Sequence, residues 1–253
     1  MKYALLVLAL SVLALTQFSY ASYTVTHLNV TAQLNKNTSA YVNEVLTVKV
    51  SNDSVKQYTT NRLALNLTLS TWQSLVGPML VQHLVNPVRG VYNFRFLPGA
   101  IFKNGTGNYA YLLMSYDVAN ATNVQQTGPR AFKYSFNTNI FNFEHGVSGE
   151  VLPANTTFTL IVPSGAVITS VYPVPDAPVS AFTKGYSNIT RVSWFYGEPL
   201  STFTFTFTLQ ESIETEVMNF FSGVNRALGY GLYIIIALVI LGLIVYIYVK
   251  AGR

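Results

Sequence analysis

The chain of 253 residues contains no cysteine. The absence excludes disulfide bonds, so any exported folded part must be stabilised by its hydrophobic core. This composition is typical of lineages that do not rely on oxidative cross-links for their exported proteins.

Histidine is also scarce. His27, His83 and His145 lie far apart in the sequence and lack the spacing of metal ligands. His27 falls in a predicted strand and His83 in a predicted helix, so we interpret both as structural residues. The sequence predicts no metal site and no cofactor.

Motifs that carry chemistry are missing as well, since no P-loop, dinucleotide fingerprint or paired-carboxylate motif occurs. Glu144 and His145, beside the stretch GVSGE (146–150), come nearest to a catalytic cluster. Glu150 occupies the place of the second glycine in a G-x-S-x-G elbow, and the strand–elbow–helix context is absent. We predict no catalytic residues and no enzyme activity, with a triad assembled by folding as the open alternative.

Charge is absent from residues 227–249, which are dominated by Ile, Leu and Val. A helix that rises ~1.5 Å per residue reaches about 34 Å over this segment, enough to cross the hydrocarbon core. Tyrosines suited to the headgroup level mark its two edges, namely Tyr230, Tyr233, Tyr246 and Tyr248. The sequence predicts a transmembrane helix at 227–249, with a buried core helix as the alternative.

The orientation of the chain follows from its two ends. Lys250 and Arg253 follow the predicted span, and the positive-inside rule places residues 250–253 in the cytoplasm. Residues 1–21 combine Lys2 with an apolar run and small residues near their end, which predicts a secretory signal peptide. A permanent N-terminal anchor is the alternative, but the run of about twelve residues is shorter than the roughly twenty that span a bilayer. We predict a single-pass protein of the cell membrane with its N-terminus outside.

Residues 22–226 are therefore predicted to face the exterior, and roughly 205 residues are enough for one large β domain or two small ones. Lys2, Lys250 and Arg253 lie outside this region, so residues 22–226 contain twelve basic and ten acidic residues. The basic residues are scattered along the sequence. This part has no electrostatic footprint for nucleic acid, so no nucleic-acid partner is predicted.

N-x-S/T sequons occur eight times between the predicted signal and the predicted span, against about three or four expected by chance. The acceptors are Asn29, Asn37, Asn52, Asn66, Asn104, Asn120, Asn155 and Asn188. Asn29 falls in the predicted strand 23–34, and Asn66 falls in a further predicted strand at 62–70. Strand alternation places both asparagines on the polar faces of their strands. We predict that several acceptors are glycosylated. The alternative is that Asn and Thr simply populate exposed strand faces.

Short alternating segments with Gly and Pro between them predict an antiparallel β-sandwich ectodomain of one or two Ig-like modules. The predicted strands are 23–34, 40–50, 90–96, 109–118, 130–143, 156–162, 166–172, 190–195 and 201–210. The first two form a hairpin around the loop NKNTS. The polar stretch 120–130 favours two modules, 22–122 and 130–210, and one continuous sandwich with a long loop is the alternative.

Two segments have helical periodicity instead. In 71–85, apolar residues recur at helical spacing around Gly77 and Pro78, which predicts a short or broken helix packed on a sheet. Partner binding by that helix is the alternative. In 211–226, an apolar side and an acidic first turn predict a juxtamembrane helix.

The stretch TFTFTFT (202–208) alternates phenyl rings with threonines. Phe203, Phe205, Phe207 and Leu209 are predicted to point into the core, where each ring stabilises the fold by about 1.5–3 kcal/mol, and the threonines outward. Contact of the rings with lipid is the alternative.

Glu44 shares strand parity with Val42, Leu46 and Val48, which directs its carboxylate into the core. Because burying an unpaired charge is costly, we predict a bulge that turns Glu44 outward or a cationic partner such as Arg62. A functional acid is the alternative.

Two parts of the chain resemble archaeal membrane proteins. In NVTAQLNKNTSAYVNEVLTVKVSN (29–52), a polar turn leads through a small residue and Val to Glu44, as in the opening hairpin of uncharacterised archaeal membrane proteins. VPSGAVITSVYPVPDAP (162–178) and ITRVSWFYGEP (189–199) are similar to a β segment of archaeal single-span surface proteins. The resemblance implies a secreted β-sandwich on a C-terminal membrane anchor and no activity. The cytoplasmic DNA-binding domain of some such proteins has no counterpart here, so no direct role in transcription is expected.

The sequence thus predicts a non-enzymatic, membrane-anchored cell-surface glycoprotein whose ectodomain binds other cell-surface or membrane proteins, or envelope components. The first alternative is an accessory single-span subunit of a membrane complex, such as a glycosyltransferase or secretion machinery. The second is an extracytoplasmic hydrolase, which requires a cleft in which His145 meets a serine and a carboxylate.

Overall fold

The computed structural model describes residues 23–64, 67–77, 80, 91–141, 143–146, 149–178, 186, 188–195, 197–200, 202–214, 217–218, 222–223, 226 and 231–251. The predicted signal peptide (1–21), Asn66 and His83 lie outside the described residues. Strands dominate the described part, which confirms the predicted mainly β class.

The strands are β1 (Tyr23–Leu34), β2 (Ala40–Val50), β3 (Val91–Pro98), β4 (Phe102–Asn104), β5 (Gly107–Val118), β6 (Thr122–Gln126), β7 (Ala131–Phe136), β8 (Glu144–Gly146), β9 (Gly149–Val151), β10 (Thr156–Ile161), β11 (Val167–Tyr172), β12 (Arg191–Trp194) and β13 (Thr204–Gln210). The α-helices are α1 (Val55–Leu63), α2 (Leu69–Val76) and α3 (Gly231–Ala251).

The larger sheet has the strand order β12-β10-β1-β2-β5-β3, and β4 pairs with β5. β1 and β2 form the predicted hairpin, because both alternate buried apolar residues with more exposed polar ones. β1 also pairs with β10, and this pair is parallel over residues 28–33 and 156–161. The prediction of purely antiparallel strands is therefore wrong at β1–β10, where a distant strand joins the free edge of the hairpin through a long crossover.

A smaller sheet has the order β11-β13-β7-β6, and β8 and β9 form a separate two-stranded hairpin. The strand predicted for 130–143 ends at Phe136. There the Asn137 side-chain Oδ1 accepts a hydrogen bond from the Asn139 backbone N at 3.2 Å and begins a 3-10 turn. The local hydrogen bond competes with strand pairing, which the alternation of aromatic residues alone did not indicate.

The chain forms two compact units, residues 1–125 with 133–208 and residues 126–132 with 209–253. The first unit contains every strand of the larger sheet, so both predicted modules, 22–122 and 130–210, contribute strands to one sheet. The stretch 120–130, predicted as a linker, contains β6.

The strand predicted for 62–70 is absent, because α1 ends at Leu63 and α2 begins at Leu69. Thr68 supplies the N-cap of α2: its Oγ1 accepts a hydrogen bond from the Thr71 backbone N at 3.3 Å. Gly77, with φ of 100°, ends the helix in a conformation that glycine adopts readily. The short helix predicted within 71–85 is thus confirmed as far as Val76.

One group of rings packs the first two helices on the larger sheet, and we call it the helix-side ring cluster. It consists of Tyr23, Tyr58, Trp72 and Phe96. Neighbouring centroids are 5.2 Å apart for Tyr23–Tyr58, 5.5 Å for Tyr58–Trp72 and 5.7 Å for Trp72–Phe96. The Tyr58 hydroxyl donates a hydrogen bond to the Gly99 backbone O at 2.9 Å, so this ring is fixed at both ends.

A second group, the inter-sheet ring cluster, joins the inner faces of the two sheets. Its members are Phe136, Phe141, Phe143, Phe158, Trp194, Phe203 and Phe205. Phe158 of β10 contacts Phe136 of β7 at 6.3 Å, and Trp194 of β12 contacts Phe205 of β13 at 6.3 Å. Offset and edge-to-face contacts of this kind add to the free energy gained from burial.

The inward side chains predicted around TFTFTFT are confirmed, because Phe203, Phe205, Phe207 and Leu209 are all buried. The outward position predicted for every threonine is wrong at Thr206. Thr206 is buried, and its Oγ1 lies 2.9 Å from Oγ1 of Thr169 on the neighbouring strand. The hydrogen bond between the two hydroxyls offsets the free-energy cost of burying them.

No helix of the described residues is both long and apolar enough to cross a membrane. The span predicted at 227–249 is thus not found among them; α3 overlaps that segment, and residues 227–230 lie outside the described part. In the predicted juxtamembrane helix, residues 213–214, 217–218, 222–223 and 226 are helical.

Candidate functional site

Most predicted glycosylation acceptors lie on the surface. The exposed ones are Asn37, Asn52, Asn104, Asn120, Asn155 and Asn188. All six are in turns or loops, or at the ends of strands and helical turns, where a bulky sugar meets no sheet face. The geometry is compatible with modification at these positions.

Backbone geometry supplies a second reason for asparagine at some of them. Asn120, Asn155 and Asn188 have φ of 54°, 57° and 62°, in the left-handed region. Asparagine tolerates this region better than most residues, because its short side chain bonds locally. The excess of sequons therefore partly reflects turn chemistry.

Several sequon hydroxyls have a role in the folded chain. The Ser39 backbone N and side-chain Oγ both donate to Asn37 Oδ1, at 3.2 and 2.7 Å, and fix the loop between β1 and β2. Thr68 caps α2, and the Ser54 Oγ accepts a hydrogen bond from Ser51 Oγ at 2.8 Å. Folding alone explains why these positions carry a hydroxyl.

Asn29 differs from the exposed acceptors. It is half-buried on β1, between Thr157 of β10 and Val45 of β2, and its Oδ1 is buried without a hydrogen-bond partner among the described residues. As strand alternation predicts, Asn29 points to the other face of the sheet from the buried Leu28 and Val30. The face on which Asn29 lies is itself partly covered.

Glu44 is fully buried, and its register with β1 and β5 continues without a shift. The predicted bulge is therefore wrong. Arg62, the cation predicted as a possible partner, donates a hydrogen bond to the Pro98 backbone O at 3.3 Å. The Tyr116 hydroxyl donates a hydrogen bond to Glu44 Oε1. A hydroxyl donor on the adjacent strand β5 therefore contacts this buried carboxyl group.

The tyrosine of this pair is strongly perturbed. Burial raises the pKa of Tyr116 well above its usual value, and the neighbouring Glu44 raises it further through its charge and its hydrogen bond. Phe94 stacks on the Tyr116 ring with centroids 6.2 Å apart. The arrangement holds a neutral hydroxyl donor against the Glu44 carboxyl group.

Tyr116→Phe is expected to destabilise the fold by about 1–3 kcal/mol, because a buried carboxylate loses a hydrogen-bond donor. Tyr111→Phe is the matched control, since Tyr111 lies on the same strand, faces outward and is 45% exposed. Urea unfolding of the full chain in mild detergent, followed by tryptophan fluorescence, measures both variants. Equal midpoints for the two variants would contradict this assignment.

Stability is also expected to fall at high pH. Burial raises the pKa of Tyr23 and of Tyr58 as well as that of Tyr116, so the folded chain keeps these protons longer than the unfolded chain. Their contribution is fully present below about pH 10 and is lost above it, by up to about 1.4 kcal/mol per pH unit for each tyrosine. Urea midpoints between about pH 8 and about pH 11.5 test this. A flat profile above about pH 10 would contradict it.

The predicted near-catalytic cluster is a hairpin in the structure. His145 of β8 pairs with Glu150 of β9, and Gly149 has a φ of 108°. A strand therefore follows β8 among the described residues, where a nucleophile elbow requires a helix. His27 is exposed on β1, and no group of three or more His, Asp or Glu able to hold a metal occurs among the described residues.

A surface cavity of about 470 Å³ lies beside β12 and is lined by Pro178, Asn188, Thr190 and Arg191 among others. Its volume is that of a small-molecule pocket. Its lining contains one cation and no carboxylate or histidine among the described residues. Asn188, a predicted glycosylation acceptor, is one of its lining residues.

No protein-family model and no curated protein matches the chain. Among solved structures, the folded domain of LppM from Mycobacterium tuberculosis has 8% sequence identity and a TM-score of 0.29, covering 79% of this chain and 98% of that domain. The Mu homology domain of Fcho1 from Danio rerio, solved with a bound Eps15 peptide, has 12% identity and a TM-score of 0.21, covering 75% and 78%. Scores this low carry no argument about fold or function.

Proposed function

We propose that the chain is a non-enzymatic, membrane-anchored cell-surface glycoprotein whose β-sandwich ectodomain binds neighbouring surface proteins or envelope components. The observation that carries the proposal is the uncharged sequence 227–249, which lies C-terminal to a polar, sequon-bearing β-rich region. Its C-terminus lies in the cytoplasm and its β-rich region outside.

The described side chains of α3 support the anchor. Leu238, Val239, Ile240, Leu241, Leu243 and Ile244 are between 53% and 61% exposed. Contiguous exposed apolar surface of this kind is unfavourable in water and favourable in hydrocarbon. Lipid is therefore the environment that suits this segment.

The outer face of the larger sheet supports an interaction role. Tyr41 and Tyr92 are each 44% exposed and both pair with Asp117 of β5, so they flank it in one row across three strands. Tyr111, on the same face, is 45% exposed. Tyrosine is enriched at protein–protein interfaces because it combines a large apolar ring with a polar tip.

The same face is also compatible with the accessory-subunit alternative. No sequon lies on β2, β3 or β5, although Asn29 of β1 pairs with Val45 of β2 on this face. The row of tyrosines itself stands on strands without predicted sugars, which suits a protein partner. Affinity purification from native membranes separates the two roles, since a subunit is expected to bring along a stoichiometric multispan partner and a free surface glycoprotein is not.

Membrane fractionation tests the proposal itself. The full chain is expected to stay with membranes through a high-pH wash and to lose mass on treatment with a glycosidase. Recovery of an unshifted chain in the soluble fraction would contradict it.

A further inference from the structure

Two buried side-chain polar atoms lack a hydrogen-bond partner in the described part of the chain, namely Asn29 Oδ1 and Thr122 Oγ1. Both belong to sequons: Asn29 is itself an acceptor, and Thr122 supplies the hydroxyl of the sequon Asn120-Ala121-Thr122. Buried polar atoms are almost always paired in folded proteins, so an unpaired one calls for an explanation.

The Thr122 hydroxyl makes no hydrogen bond with any described residue of the folded chain. Thr122 is 2% exposed at the start of β6, and its backbone N donates to the Thr38 backbone O at 3.1 Å, while its Oγ1 is unsatisfied. Valine has the same shape, the same preference for strands and no hydroxyl to desolvate. Folding alone would therefore favour valine here, unlike Ser39 and Thr68, whose side chains are hydrogen-bonded.

The acceptor of the same sequon remains accessible. Asn120 is exposed in the turn between β5 and β6, and its backbone O accepts a hydrogen bond from the Asn137 side-chain Nδ2 at 3.1 Å. A sugar on its side chain meets solvent in the folded state. In the folded chain the acceptor Asn120 is thus exposed, whereas the Thr122 hydroxyl of the same sequon is buried.

We propose that the Thr122 hydroxyl serves the modification of Asn120 by an N-glycosylating enzyme before the domain folds. The inference rests on the proposed glycoprotein function. It adds that Asn120 is modified before the domain folds and that the enzyme recognises the Thr122 hydroxyl. In the reaction, Asn120 Nδ2 forms a bond to the anomeric carbon of a lipid-phosphate-linked oligosaccharide. The bond from that carbon to the phosphate oxygen breaks, the lipid phosphate leaves with the electron pair, and the amide gives up one proton. Folding then buries the hydroxyl, so the acceptor loses its recognition element.

The test translates the full chain with microsomal membranes that glycosylate, added either during or after synthesis, and maps occupied sites by mass spectrometry. Asn104-Gly105-Thr106 is the matched control, because both Asn104 and Thr106 are exposed at a hairpin tip. With membranes present during synthesis, Asn120 is expected to be occupied in the natural chain and in Thr122→Ser. In Thr122→Val its occupancy is expected to fall at least about tenfold. With membranes supplied after folding, detergent-permeabilised so that the enzyme is reachable, Asn104 is expected to remain an acceptor and Asn120 not.

Thermal unfolding of the unmodified full chain in detergent supplies the second readout. Thr122→Val is expected to melt no lower than the natural chain, whereas a hydroxyl with a folded role predicts a lower Tm. A lower Tm, or equal occupancy of Asn120 before and after folding, would overturn the inference. Occupancy at Asn104 without occupancy at Asn120 overturns the inference alone. Absence of sugar from every sequon overturns the glycoprotein proposal.

Discussion

Phe158→Ala is expected to lower the free energy of unfolding by about 3–5 kcal/mol, a large share of the stability of a typical domain. Phe158 is 1% exposed and lies at the centre of the inter-sheet ring cluster. Its ring contacts five others, those of Phe136, Phe141, Phe143, Trp194 and Phe203. Because these rings come from both sheets and the loops between them, the cavity left by alanine cannot close without moving a strand.

The measurement uses thermal and urea unfolding of the full chain in mild detergent. The chain has two tryptophans, Trp194 in this cluster and Trp72 in the helix-side ring cluster, so fluorescence reports on both. Phe195→Ala is the matched control, because Phe195 follows Trp194 directly and is 42% exposed. A loss in Phe158→Ala no larger than that in the control would mean that the rings do not hold the sheets together.

A chain shortened to end at Arg226 is expected to move almost completely from the membrane fraction to the medium. Residues 227–249 carry no charge, and removing them leaves no other apolar segment of that length between residues 22 and 226. The full-length double variant Ile240→Arg and Leu241→Arg is expected to weaken insertion at unchanged length, by about 2.5–3.5 kcal/mol for each arginine near the helix centre.

Fractionation of cells that express each variant, followed by immunodetection in membranes and medium, checks this expectation. Ile240→Val and Leu241→Val together are the conservative control and are expected to leave the distribution unchanged. Retention of the shortened chain in membranes would mean that another part of the molecule binds them.

Elements with a strict local pattern were predictable from the sequence. The hairpin of β1 and β2 has the predicted bounds, because apolar residues alternate from Leu28 to Leu34 and along β2 on both sides of a polar loop; a register shift between Val25 and His27 interrupts the pattern only near the start of β1. The rings of β13 point inward for the same reason. In these segments a shift by one residue would expose every apolar side chain, so the pattern alone decides the structure.

Elements that depend on capping or on distant partners were not predictable. The leucines at 63, 65, 67 and 69 alternate like a strand, but the Thr68 cap and the burial of Trp72 and Tyr58 favour helices on either side of residues 64–68. The parallel pairing of β1 with β10 joins segments more than a hundred residues apart, and no local pattern encodes it. Tertiary contacts override weak local preferences in both cases.

The candidate sites also differ in whether the sequence alone could predict them. The sequon acceptors were visible in the sequence, since the motif is local. The partner of Glu44 was not, because Tyr116 lies on another strand and strand parity indicates only that the carboxylate points inward. The buried hydroxyl of Thr122 was also missed, since a threonine at the start of a strand is ordinary and only packing shows that its Oγ1 lacks a partner.

Surface proteolysis of intact cells tests the central claim, that the β-rich region lies outside and the C-terminus inside. The full chain, with one tag inserted at the exposed tip around Gly105 and another after Arg253, is exposed to a protease that cannot cross the membrane. We predict that the tip tag is lost while the C-terminal tag survives on a short membrane-bound fragment. Survival of the tip tag on intact cells, with loss only after permeabilisation, would contradict the account.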